Sequence, residues 1–71
     1  MNKTVRNLAR QADELARAME PDLREIVRYN RIRDEKFAEL IVRECANYIT
    51  EYYPHSRYEA FYMKKHFGVE E

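Results

Sequence analysis

Apolar side chains recur along this chain at the three- and four-residue spacing of amphipathic helices. Val5, Leu8, Ala9, Ala12, Leu15, Ala16 and Met19 form one heptad-like stripe, which predicts a first helix over residues 4–19. Asn2 or Thr4 supplies a capping oxygen at its start. The small residues Ala9, Ala12 and Ala16 on the stripe allow close approach of a partner helix. Pro21 stops this helix and opens a second. Asp22 and Glu25 fall in that second helix's first turn, where the positive end of the dipole favours them. Leu23, Ile26 and Val27 give it a short apolar face, and Asn30 stands where a left-handed stop is expected, near residues 29–31. The competing reading is a helix that runs on unbroken into the next segment.

That next segment has the longest stripe, Phe37, Leu40, Ile41, Cys45, Tyr48, Ile49 and Tyr52, with Glu39 and Arg43 opposite at a favourable i, i+4 spacing. It predicts a third helix over residues 34–53, central to the core and ended by Pro54, which disfavours helix at Tyr53. The fourth helix, residues 57–67, has signals at both ends. Ser56 and Glu59 have the spacing of a capping box. Gly68 followed by Val69 reads as a left-handed C-terminal cap, with Lys64, Lys65 and His66 in the last turn, where positive charge is favoured. The link Pro54–His55 folds this helix back on the third. The pattern therefore predicts an all-α protein, a single domain of three or four helices ending in a helical hairpin.

Composition narrows the classes. The chain has 71 residues, 13 basic and 13 acidic groups, one Cys, one Gly and two Pro. One Cys excludes a disulfide framework and a four-cysteine zinc site. The scarcity of turn residues argues against a β-sandwich. There is no apolar run near the ~20 residues of a membrane span, and no charged segment followed by an apolar run that would mark a secretory signal. A chain this short buries only about 60% of its unfolded surface, so self-association is a physical expectation, most simply as a homodimer.

The side chains available for chemistry are few. A nucleophile with its base would come from Cys45 or Ser56 with His55 or His66. Cys45, however, lies on the apolar stripe and reads as a buried thiol, Ser56 reads as a cap, and both histidines fall at helix edges. Cys45, His55 and His66 are ten and eleven residues apart, which matches no compact zinc spacing. With one Gly there is no phosphate-cradling loop. The reading is a chain with no catalytic residues, no metal and no cofactor.

Two patterns point to binding instead. Nine of the basic residues are Arg, and four of these lie between Arg24 and Arg33. On a helix, Arg24, Arg28 and Arg31 share a face at i, i+4 and i+7, with Tyr29 adjacent. Forked guanidinium groups beside an aromatic ring suit phosphate or carboxylate recognition and base stacking. The plainer reading is a solvated face laced with ion pairs such as Asp13–Arg17 and Glu20–Arg24, each worth about 0.3–0.5 kcal/mol. Residues 1–36 carry nine basic and seven acidic groups, and residues 37–71 four and six, a tilt too small to make a basic patch. The second pattern is tyrosine. Five of the six lie between Tyr48 and Tyr62. Tyr48 and Tyr52 share one helix face and Tyr58 and Tyr62 another, so a hairpin brings the two pairs together. They serve either as core with wet hydroxyls or as a protein interface, where Tyr is enriched.

The segment FAELIVRECA, Phe37 to Ala46, followed by KKHFGVE, Lys64 to Glu70, resembles the tail of many short uncharacterised accessory proteins of tailed bacteriophages. The run from Asn7 to Ala12 is similar to the start of such proteins. The resemblance covers about half the chain and carries no catalytic or ligand residue. It implies an accessory protein made in the cytoplasm of an infected bacterium, which fits a single reduced cysteine. Such proteins act by stoichiometric binding. The expectation is a non-catalytic host-takeover or counter-defence inhibitor that holds a host protein through Tyr48, Tyr52, Tyr58 and Tyr62. The alternative is a sponge for an anionic small molecule, such as a cyclic nucleotide defence signal, held by Arg24, Arg28, Arg31 and Tyr29. Duplex DNA fits least, because it needs six or more phosphate contacts and this chain is neutral.

Overall fold

The computed structural model describes residues 2–22 and 24–69. Leu23, placed above on an apolar helix face, and Glu70, the last residue of the tail motif, lie outside them. Among the described residues the protein is all-helical, with three α-helices, α1 (Lys3–Met19), α2 (Ile26–Tyr52) and α3 (Arg57–His66), and one short 3-10 turn (Pro54–Ser56). The chain divides into two units, Met1–Leu40 and Ile41–Glu71.

In the first unit α1 starts where Asn2 places its side-chain oxygen 3.0 Å from the amide of Val5, serving one of the donors that a helix start leaves unpaired. It ends because Pro21 disfavours helical geometry at the residue before it. Glu20 is pushed to φ −138°, ψ 83°, while its amide still donates to the Ala16 carbonyl at 2.9 Å. The apolar stripe is covered only in part. Leu8, Ala12 and Ala16, at i, i+4 and i+8, are buried. Val5 and Ala9 are half-buried, and Leu15 and Met19 are exposed.

Pro21 does not open the second helix. Asp22 accepts the amide of Arg24 on its side chain at 3.0 Å and the amide of Glu25 on its carbonyl, also at 3.0 Å. This local turn competes with helix for the same backbone groups. The helical ladder begins only when Tyr29 donates to the Glu25 carbonyl at 2.9 Å, so Asp22 and Glu25 precede α2 and do not lie in its first turn. Nor does Asn30 end it. Gly68 is the only described residue with positive φ, and α2 continues through Asn30 for 27 residues. Its sequence holds no Gly or Pro, and one Asn costs a helix only about 0.5–0.7 kcal/mol, too little to break it. The segments expected as second and third helices are thus one.

In the second unit α2 ends at Tyr52, before Pro54. Ser56 does not form the expected capping box: its side chain makes no capping bond, and its backbone stands at φ −105°, ψ 15°, away from the extended geometry that aims a cap. The 3-10 turn explains this. Ser56 donates to the Tyr53 carbonyl and Arg57 to the Pro54 carbonyl, so these amides are already served by the backbone. The other end of α3 is as expected. Gly68 has φ +70° and donates to the Lys65 carbonyl at 3.1 Å, and Val69 donates to the Lys64 carbonyl at 2.8 Å. This is the paired bonding of a Schellman cap, with the following apolar residue, Val69, buried.

The covered positions of this unit are Ala46, Ala60 and Val69. The long stripe of α2 is not a core centre. Phe37, Leu40 and Ile41 are half-buried, and Cys45, expected inside, is exposed. The buried position is its neighbour Ala46, which puts the covered face about 100° around the helix from the one expected.

Two stability measurements test these assignments. Nothing lies within 4 Å of a Cβ built on Gly68, so Gly68→Ala meets only the left-handed backbone cost and lowers stability by about 1 kcal/mol in urea unfolding. Asn30→Ala, inside a continuous helix, raises it by about 0.5 kcal/mol, whereas at a left-handed stop it lowers it.

Candidate functional site

The arginine row does not assemble as a row. Arg24 lies in the turn before α2, so it shares no helix face with Arg28 and Arg31. Its guanidinium grips Asp22, Nε to Oδ1 at 3.2 Å and Nη2 to Oδ2 at 3.3 Å. This hydrogen bonding, with the Arg24 backbone amide adding to it, holds the Asp22 carboxyl below its ordinary value, against a small opposing effect of burial. Arg28 reaches back to Glu20, Nε to Oε2 at 3.2 Å, and that carboxylate is mostly covered. The expected Glu20–Arg24 pair is therefore replaced by two others, because the turn points Arg24 at Asp22 and brings Glu20 within reach of the first turn of α2. Asp13 and Arg17 pair as expected, at 3.0 Å. Arg33 bonds Asp34 at 3.4 Å and lies 5.7 Å from the centre of the Tyr29 ring. Arg31 is exposed.

A cavity of about 410 Å³ opens beside this turn, lined by Arg17, Glu20, Pro21, Asp22, Ile26 and Tyr29. It includes one of the four residues proposed for anion binding, Tyr29, and two carboxylates. An anion entering here meets Glu20 and Asp22, and must displace them to reach Arg28 and Arg24.

The other five tyrosines lie in the second unit and are exposed. Tyr48 stacks on Tyr52 with ring centres 4.7 Å apart and stands 6.5 Å from Tyr53, which in turn faces His55 edge-on at 6.3 Å. On α3, Phe61 meets Tyr62 edge to face at 5.5 Å. A second cavity, about 450 Å³, is lined by Thr50, Arg57, Tyr58, Ala60, Phe61, Tyr62 and Lys64. It contains Tyr58 and Tyr62, but not Tyr48 or Tyr52. Sequence reasoning passed over Arg57, Phe61 and Lys64. Their signal was present all the same: they stand at i, i+4 and i+7, the spacing that had drawn attention to the arginines upstream.

Among the described residues no three metal-ligating side chains converge, and no helix is long and apolar enough to cross a membrane. Compared with family models, curated proteins and solved structures, the chain has no match in any of the three.

The Asp22–Arg24 contact has a pH signature. A carboxyl lowered in the folded state stabilises the fold above its unfolded value and loses that contribution as pH falls through the folded one. A carboxyl-detected NMR titration places the Asp22 midpoint below 3.8, and Arg24→Ala returns it towards that value.

Proposed function

We propose that this protein is a non-catalytic protein-binding module, self-associated in solution, which uses the aromatic surface of its second unit to hold and block a host protein. One observation carries the reading. Tyr48, Tyr52, Tyr53, Tyr58, Phe61, Tyr62 and Phe67 are each at least half exposed, all within that unit, while no large side chain among the described residues is fully buried. Soluble monomers seldom leave so much aromatic surface uncovered without a partner for it. Tyr presents a large contact area on only two rotatable bonds, so fixing it at an interface costs little entropy.

In this reading α3 folds back on the last turns of α2 as a hairpin, which sets Tyr48 and Tyr52 beside Tyr58 and Tyr62. A second copy covers part of the aromatic surface, and the target takes the rest. The bacteriophage context, and with it a host-takeover or counter-defence role in the bacterial cytoplasm, rests on the FAELIVRECA and KKHFGVE segments. The sponge for anions at Arg24, Arg28 and Arg31 is the weaker reading, since Asp22 and Glu20 already occupy two of these guanidinium groups.

Two measurements on the full chain test the proposal. Light scattering returns a mass above the 8.7 kDa of one chain. A host protein retained on the immobilised chain is lost with Tyr52→Ala and with Tyr58→Ala, each by about tenfold or more in affinity, and is kept with Arg24→Ala. A monomer that retains nothing, or retention indifferent to both tyrosine changes, refutes it.

A further inference from the structure

The two cavities differ in charge, and the difference points to a ligand. The one beside the α1–α2 turn holds two carboxylates, Glu20 and Asp22, against one guanidinium, Arg17, itself paired with Asp13. The one on α3 holds Arg57 and Lys64 with no carboxylate among its lining residues, together with three aromatic rings, Tyr58, Phe61 and Tyr62. Among the described residues Arg57 makes no ion pair. Its guanidinium carbon lies 5.7 Å from the centre of the Tyr58 ring, an arrangement that leaves the fork's donors available to an anion. The volume, about 450 Å³, is within the range of small-molecule sites.

We propose that this cavity binds a nucleotide, with the phosphate on Arg57 and the base against the exposed rings. The charge that meets the phosphate is local: Arg57 stands one helical turn from Phe61 on the α3 face, with Lys64 about two turns from it. A guanidinium fork fits phosphate oxygens bidentately. Aromatic rings stack any base, at about 1–3 kcal/mol each in single-strand binders. Ala60 is buried between the ring-bearing positions and leaves the rings' own faces to define the walls. The Thr50 hydroxyl donates to the Ala46 carbonyl at 2.9 Å, so it meets a ligand only as an acceptor, which suits a base or ribose donor and not a phosphate oxygen. This fixes the expected orientation, with the phosphate at the Arg57 end. The same chemistry is offered by a free mononucleotide and by the phosphorylated end of a single strand. The inference does not rest on the protein-binding reading, which makes no use of Arg57; the two share Tyr58, Phe61 and Tyr62, so a nucleotide and a protein target compete for these rings.

Calorimetric titration of the full chain tests it with 5′-AMP, a short 5′-phosphorylated oligoadenylate, ribose 5-phosphate and phosphotyrosine. Binding of AMP assigns a free nucleotide, and binding of the oligoadenylate alone assigns a strand end; either supports the site. Ribose 5-phosphate, which lacks the base, binds about tenfold more weakly or worse. Arg57→Gln, at an exposed position that leaves the helical circular dichroism unchanged, weakens the nucleotide by about tenfold. Phe61→Leu, which keeps an apolar side chain without the ring, weakens it as well. No heat with either nucleotide form overturns the proposal. So do equal affinity for ribose 5-phosphate, tighter binding of phosphotyrosine, and loss of binding with Arg24→Gln in place of Arg57→Gln.

Discussion

Small side chains set the terms on which this protein folds. In the first unit Ala12 and Ala16 have no exposed surface, and in the second Ala46 and Ala60 have almost none. An alanine that loses all its exposure takes only one methyl group out of water, so a core of alanines has little volume. Each buried alanine also contributes less hydrophobic stabilisation than the roughly 1.5–3 kcal/mol of a buried Leu or Phe. The two consequences go together. The core is thin, and the residues that would thicken it, above all the aromatics of the second unit, remain at the surface. The exposed rings are those on which both proposals draw.

A thin core gives the helix ends more weight. Each end is fixed by chemistry within a few residues of it: the Asn2 side chain on the Val5 amide, the restriction Pro21 places on Glu20, the turn Asp22 makes with Arg24 and Glu25, and the paired bonds at Gly68 and Val69. The same turn decides the electrostatics of the first unit. By engaging Arg24 and letting Arg28 meet Glu20, it consumes positive charge that the linear sequence offers as a row. Arg57 has no ion pair among the described residues, and its guanidinium lies over the Tyr58 ring. The site proposed for a phosphate is on α3 and not on the helix with more arginines.

The sequence by itself determined the helical class, a polar cap at Asn2 or Thr4 for the start of α1, the stop at Pro54 and the left-handed cap at Gly68. Each of these depends on the stereochemistry or hydrogen bonding of residues at most five apart, and that information is present in the chain. Only the tertiary structure decided which apolar positions are covered, which carboxylate holds which arginine, whether Asn30 interrupts α2, and that Ala46 and not Cys45 is inside. A periodic stripe marks a face as suitable for burial, but its neighbours in space choose how much of the face is used. Likewise an arginine at a helical spacing has several carboxylates in reach, and the bonds of Asp22 to Arg24 and Glu25 select among them.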